Sequence, residues 1–175
     1  MPRVTKSTTI KRTPEEVYRF WRDFSRLPEF MIHVDQINNV GNRRWHWVVR
    51  EPAGQTIEWD AEVTEDQPNA RIGWRTLEGS EARHSGSVRF DPAPADRGTE
   101  VRVEIDYEAP GGRAVGVIAG WLGADPESQV RDDLRRFKQV METGEVVRSD
   151  GSLEGAGQGM SNQRASQAPE AEVRR

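Results

Sequence analysis

Cysteine is absent from this chain of 175 residues, which excludes disulfide bonds, thiolate catalysis and cysteine metal sites. Long hydrophobic runs are also absent: no apolar stretch reaches the roughly 18 residues that a membrane-spanning helix needs. The residues that follow Met1 lack the apolar segment of a secretory signal. These absences favour a cytoplasmic location and argue against a transmembrane segment.

An excess of charge of one sign is missing too. The 25 basic and 29 acidic residues give a formal net charge of -4. No basic patch with interleaved aromatic residues occurs, so a nucleic-acid partner is not expected. The chain length and the hydrophobic fraction of 34% fit one domain with a real core.

Alternation of apolar and polar residues dominates the middle of the chain. Ile57, Trp59, Ala61 and Val63 alternate with polar side chains, which is typical of a strand with one solvent-facing side. Turn residues separate such segments by short intervals, and this favours antiparallel hairpins. The predicted strands cover residues 4–10, 33–40, 44–50, 55–66, 70–77, 82–91 and 99–108.

Two short helices are predicted after the first strand. Thr13, Pro14 and Glu16 have the pattern of a capping box with proline in the first turn. An apolar stripe at helical spacing follows over residues 17–24, and residues 27–31 predict the second short helix.

The pattern becomes helical again after residue 111. Gly112, Gly116 and Gly120 recur every four residues, which predicts close packing of a helix backbone on the sheet. Asp125 and Pro126 predict a kink or a restart of the helix. The apolar stripe beyond them consists of Val130, Leu134, Phe137 and Met141.

The last part of the chain, residues 148–175, is rich in Gly, Ser, Gln, Ala and Glu and has hardly any large apolar group. Such a segment cannot bury enough surface to offset the entropy of ordering it. We therefore expect one folded domain over residues 1–147 and a disordered tail over residues 148–175. Docking of a helical tail on a protein partner is the alternative.

Several stretches resemble the START-like (SRPBCC) polyketide cyclase/dehydrase superfamily, in particular its uncharacterised bacterial members. They are residues 14–24 (PEEVYRFWRDF), 27–31 (LPEFM), 53–61 (AGQTIEWDA), 86–90 (GSVRF) and 133–138 (DLRRFK). The resemblance covers about residues 3–147. It implies an α+β helix-grip fold, in which a strongly bent antiparallel sheet of about seven strands wraps around a long C-terminal helix.

Members of this superfamily share a cavity between the sheet and the long helix. The resemblance therefore implies a ligand site lined by apolar residues in phase with the inner faces, whereas a solid core is the alternative. The predicted lining residues are Trp45, Trp47, Trp59, Trp74, Phe90 and Val103 on the sheet, with Ile118, Trp121, Leu122 and Phe137 on the helix.

Polar residues in phase with an inner face are informative, because ligand pockets are mostly apolar with a few placed polar groups. Thr76 and His84 are in phase with inner faces and join the predicted ligand-binding set. His84 is also the weak candidate for a catalytic acid–base group; a surface histidine at a strand end is the alternative. His46 is out of phase and should face solvent. No metal site and no cofactor are predicted.

Three functions remain open at this point. The first is binding or transport of a small hydrophobic ligand such as a lipid, a quinone or an aromatic polyketide-like molecule, with peripheral membrane contact left open. The second is a polyketide cyclase or dehydratase, which can work through positioning and one acid–base group. The third is a protein-interaction module with a filled core. A cavity below roughly 300 Å³ counts against the first two.

Overall fold

The computed structural model describes residues 2–50, 54–80, 82–107 and 125–144. Seven strands form one sheet in which every neighbouring pair is antiparallel, in the order β1-β7-β6-β5-β4-β3-β2. The strands are β1 (Arg3–Ile10), β2 (Val34–Gly41), β3 (Arg44–Arg50), β4 (Thr56–Gln67), β5 (Arg71–Thr76), β6 (His84–Pro92) and β7 (Thr99–Tyr107). All seven predicted strands are confirmed, and the fold is the α+β helix-grip architecture.

Two short helices follow β1, as predicted. Helix α1 (Pro14–Arg22) begins with a capping box: the Thr13 side chain accepts from the Glu16 backbone N–H, and the Glu16 side chain accepts from the Thr13 N–H. Its buried stripe packs into the core. A 3₁₀ helix (Phe24–Glu29) follows directly, so it begins three residues before the predicted start at residue 27. A second 3₁₀ turn, Pro94–Asp96, lies between β6 and β7.

The long C-terminal helix α2 (Pro126–Thr143) starts at Asp125, whose side chain accepts from the Ser128 N–H, and it ends at Gly144 in the left-handed conformation. Its buried residues are Val130, Leu134 and Phe137. The predicted helical segment from residue 112, its glycine spacing and the predicted tail over residues 148–175 lie outside the described residues.

Both ends of α2 are joined to β1 or to the residues just after it. At the start of the helix the Lys6 ammonium lies 3.0 Å from the Glu127 carboxylate. At its end Arg12 donates from Nε to the Met141 carbonyl oxygen over 3.0 Å, and the Lys11 backbone N–H donates to the Glu142 carboxylate over 3.0 Å. The middle of α2 carries the residues that face the sheet.

An irregularity in β4 changes which side chains face inward. The pairing with β5 shifts between Val63 and Glu65, so that Asp66 pairs with the buried Ile72. One extra residue in a strand reverses the phase of those that follow. Asp66 consequently meets α1, where the Tyr18 hydroxyl donates to it over 2.5 Å and Arg22 donates over 2.7 Å.

Aromatic rings fill one end of the core. Phe137 of α2 contacts Phe30, Trp21 and Phe20, with ring centroids 4.8, 5.1 and 5.7 Å away. Phe90 of β6 adds to this cluster through Trp21, at 6.3 Å. The described helices include none that is long and apolar enough to cross a bilayer.

A candidate ligand cavity between the sheet and helix α2

A small apolar cavity lies beside the aromatic cluster, where the sheet, the 3₁₀ helix region and α2 meet. The sheet contributes Trp45, Trp47, Ala61, Val63, Trp74, His84, Val103 and Ile105. The segment from α1 through the 3₁₀ helix contributes Trp21, Phe24, Leu27, Phe30 and Met31. Helix α2 contributes Val130, Asp133 and Leu134, and Glu62 also borders the cavity.

The strand register explains why the tryptophans share one face. Trp45 lies opposite Ala61, Trp47 opposite Trp59, and Val63 opposite Trp74. Directly paired residues of antiparallel strands project to the same side of the sheet. The register therefore places these tryptophan positions on one face of the sheet.

The tryptophans differ in what they do on that face. Trp59 is buried, with its ring stacked on Trp47 at 6.1 Å, and it is not among the described lining residues of the cavity. Trp45 packs edge-on against Phe24 at 5.1 Å. Trp45, Trp47 and Trp74 are only partly buried, so their rings form a wall that solvent reaches.

His84 is a buried cavity residue rather than a surface histidine, with 7% of it exposed. Its ring meets the Trp59 ring edge-on, with centroids 5.3 Å apart. Burial lowers the pKa of His84 to about 3, because a charged imidazolium is disfavoured away from water. The imidazole is therefore neutral at pH 7, where it can donate one hydrogen bond and accept one.

Asp133 is the polar cavity residue that sequence reasoning missed. It lies on α2 between the lining residues Val130 and Leu134, and its side chain is 18% exposed. Burial raises the pKa of Asp133 to about 7, against the opposing effect of the Arg136 cation 3.0 Å away. Its place in the apolar stripe, three residues after Val130, was the signal available in the sequence.

Glu62 and Thr76 contribute less to the interior than their positions suggest. The Glu62 carboxylate lies 2.5 Å from Nε of Arg75, a largely exposed side chain. The Thr76 hydroxyl contacts the backbone N–H and carbonyl of His84, each over 3.2 Å. It therefore extends the β5–β6 pairing, and Thr76 is absent from the described cavity wall.

Other predicted lining residues take different places. Phe90 and Phe137 lie in the aromatic cluster and are fully buried there, whereas Val103 lines the cavity. Ile118, Trp121 and Leu122 lie outside the described residues. Contact of any of these residues with a ligand stays a prediction. His46 lies on the other face of β3, where its Nδ1 is 2.7 Å from Asp60.

The free space in the cavity is about 60 Å³. This volume is below the roughly 300 Å³ of typical small-molecule pockets. A cavity is present where the sequence predicted one, but in this conformation it is too small for a drug-sized ligand. Within the described ranges, no cluster of three or more His, Asp or Glu side chains could hold a metal ion.

Comparison with known proteins places this architecture in a family. The family described as "Polyketide cyclase / dehydrase and lipid transport" matches residues 1–142. An uncharacterised 17.2 kDa protein of Streptomyces lincolnensis, from the melC2–rnhH intergenic region, is 32% identical over 143 residues, which are 81% of this chain and 91% of the relative.

Solved structures agree with this assignment. DR_A0006 from Deinococcus radiodurans is 39% identical with a TM-score of 0.67, over 83% of this chain and 100% of that one. The di-domain ARO/CYC StfQ from the steffimycin biosynthetic pathway has a TM-score of 0.59 at 12% identity, over 79% of this chain and 50% of that one, and shows the fold alone. The chain belongs to the polyketide cyclase/dehydrase and lipid transport family (SRPBCC), whose members typically bind hydrophobic ligands.

Proposed function

We propose that this protein binds a small hydrophobic molecule between the sheet and α2 and acts as its carrier or sensor. The observation that carries the proposal is the chemistry of the cavity wall. Apart from Glu62, His84 and Asp133, every described lining residue is aromatic or aliphatic. A mostly apolar wall with a few polar groups is the usual composition of a ligand site.

The small free volume requires the cavity to expand when a ligand enters. Met31, Trp45, Trp47 and Trp74 are the partly buried apolar members of the wall, and a methionine side chain adapts easily to a new shape. Rotation of these side chains enlarges the space without a change in the strands. Binding should therefore change the tryptophan fluorescence, because three of the four side chains are indoles.

The class of ligand is proposed from the family. Its description joins polyketide cyclases and dehydrases with lipid transport, and the neighbour StfQ is an ARO/CYC of a biosynthetic pathway. Lipids, quinones and aromatic polyketide-like molecules all fit a wall of this composition. Contact with a membrane surface during loading, and binding of a protein partner through residues 148–175, remain parts of the proposal.

A cyclase or dehydratase is the second candidate, and Asp133 is the observation that favours it. A group that gains or loses a proton near neutral pH is suited to general acid–base catalysis. With its pKa raised to about 7, Asp133 meets this condition better than His84, whose pKa of about 3 makes it a weak base. His84 and Asp133 both line this apolar cavity, and a reaction of this kind needs positioning and one acid–base group.

Native mass spectrometry and a cavity-filling variant test the binding proposal. Freshly purified protein should carry hydrophobic mass that is released on denaturation. Ala61 is buried in the cavity wall, so Ala61→Leu adds three carbon atoms to the free space and should abolish the bound mass. Val40 is 53% exposed, and Val40→Leu is the matched control that should retain it.

The opposite result would assign a different role. If the purified protein carries no ligand and no hydrophobic probe changes its tryptophan fluorescence, the interior is a filled core. The protein would then be an interaction module whose outer surface binds its partner. A bound mass that is equal in both variants would place the ligand outside this cavity.

A further inference from the structure

Asp133 interrupts the apolar face that α2 turns toward the cavity. Val130, Asp133 and Leu134 are spaced by three and four residues, which places them on one side of a helix. An aspartate is costly on such a face unless it has a partner or a task. Its hydrogen-bond partners among the described residues contact only one of the two carboxylate oxygens.

The two hydrogen bonds that described residues make to this carboxylate end on the same oxygen. Oδ1 accepts from Nε2 of Gln129 and from the guanidinium of Arg136, each over 3.0 Å. Oδ2 accepts no hydrogen bond from the described residues. Because Asp133 lines the cavity, we treat Oδ2 as an acceptor for a ligand. An ionised carboxylate oxygen can accept more than one hydrogen bond.

The groups around Asp133 determine which donor fits Oδ2. On α2 these groups are Arg136, Gln129 and the carboxylate of Asp132. His33 lies just before β2, and its Nε2 is 3.1 Å from the side-chain oxygen of Gln129. The Arg136 cation already balances one negative charge. A second cation beside it would be repelled, so a neutral donor such as a hydroxyl is favoured over an ammonium group.

We propose that Oδ2 of Asp133 binds a hydroxyl group of the ligand, so that the site selects hydrophobic molecules with a phenolic or alcoholic OH. The inference rests on the proposed function, which it narrows from hydrophobic molecules in general to hydroxylated ones. His84 lines the same cavity from the sheet.

The test uses two probes of nearly the same shape, 2-naphthol and 2-methylnaphthalene, whose dissociation constants are measured by calorimetry at pH 8. The hydroxyl group is more strongly hydrated than the methyl group, which by itself weakens binding of 2-naphthol. The quantity to compare between wild type and variants is therefore the ratio of the two dissociation constants. Asp133→Leu removes the acceptor. It should shift the ratio against 2-naphthol by about tenfold or more, since hydrogen bonds to charged groups are the stronger ones.

Two further variants separate recognition from structure. Asp132 is the adjacent carboxylate, is 39% exposed and is not among the described lining residues, so Asp132→Leu should leave the ratio unchanged. Asp133→Asn keeps a side-chain oxygen without the charge and should lower the affinity for 2-naphthol about threefold to tenfold, with 2-methylnaphthalene unaffected. If Asp133→Leu does not fold, Asp133→Asn decides the question alone.

The outcomes distinguish failure of the hydroxyl contact from failure of the proposed binding function. If both probes bind and the ratio is the same in wild type and the Asp133 variants, the hydroxyl contact is wrong while the binding function stands. An equal loss of affinity for both probes would make Asp133 structural and would also overturn the inference. If neither probe binds the wild-type protein, the proposed function fails and the inference fails with it.

Discussion

Two titratable groups that line the cavity, the buried His84 and the largely buried Asp133, should make the stability of this protein depend on pH in opposite directions. The pKa of His84 is lowered to about 3 in the folded protein from 6.5, and the pKa of Asp133 is raised to about 7 from 3.8. A shift between folded and unfolded states makes the free energy of unfolding depend on pH between the two pKa values. For His84 the window runs from about pH 3 to 6.5, and for Asp133 from about pH 4 to 7.

The two effects have opposite signs because the folded protein disfavours protonation of His84 and disfavours ionisation of Asp133. As the pH falls below 6.5, the unfolded chain protonates His84 while the folded protein does not, so stability decreases with falling pH. As the pH rises above 4, the unfolded chain ionises Asp133 while the folded protein keeps it protonated, so stability decreases with rising pH. Between pH 4.5 and 6.5 each effect amounts to roughly 2–3 kcal/mol, since a pKa shift of one unit corresponds to about 1.4 kcal/mol.

The two effects nearly cancel in the wild-type protein, and single variants should reveal each of them. Relative to wild type, His84→Gln should lose roughly 2–3 kcal/mol of unfolding free energy as the pH rises from 4.5 to 6.5, because only the Asp133 effect remains. Asp133→Asn should gain a similar amount over the same range. The double variant should follow the wild-type pH dependence.

Urea unfolding followed by tryptophan fluorescence, at constant ionic strength and at four pH values from 4.5 to 7.5, measures these free energies. The six tryptophans of the chain provide the signal. Comparing slopes with pH, rather than absolute values, removes the constant cost of each substitution. Parallel curves for wild type and both single variants would show that the two side chains titrate normally, and the assignment of both to a water-poor cavity would be refuted.

Three further predictions concern stability. Phe137→Ala should cost about 3–5 kcal/mol in denaturant unfolding, because a fully buried ring leaves a cavity; a loss below 1 kcal/mol would contradict the aromatic cluster. Gly98→Ala should destabilise the protein by more than about 2 kcal/mol, because Gly98 has a positive φ and an added Cβ would lie 2.0 Å from the Ile10 carbonyl oxygen of β1. Gly41→Ala is the control and should be nearly neutral, because a Cβ at Gly41 would have open space. Tyr18→Phe should cost about 1–3 kcal/mol through the lost bond to Asp66. Ultraviolet titration of wild type minus that of Tyr18→Phe should show a pKa of about 12 for Tyr18, and ionisation of Tyr18 near pH 10 would refute the contact.

The strands and helices were predictable because each depends on a local pattern. Alternation identified β2 to β7, and a β-branched, hydroxyl-rich composition identified β1, all to within about two residues. Thr13 with Glu16 identified the start of α1 through a capping box that the structure contains. The family resemblance then implied the architecture, a bent antiparallel sheet around the C-terminal helix, whereas the strand order is known from the structure. Such patterns report which face of an element is apolar, and the helix-grip fold follows once those faces are paired.

The details of the site depend on contacts between distant residues, which local patterns do not report. The shift between Val63 and Glu65 turns Asp66 inward, although strict alternation would place it outside. Phe90 has the same phase as the wall residues, yet it joins a solid aromatic cluster. Whether an inner face encloses space or is filled depends on the sum of side-chain volumes, and periodicity contains no information about that sum.

The attachment of α2 at both ends affects how a ligand could enter and leave the cavity. Lys6 holds the first turn and Arg12 holds the last turn, so neither end can swing outward unless those contacts break. While these contacts hold, the described lining residues best placed to move aside are Met31 and the outer indoles, which are only partly buried. The traffic of molecules in and out of this protein should consequently be controlled by side-chain torsions within a backbone frame that stays closed.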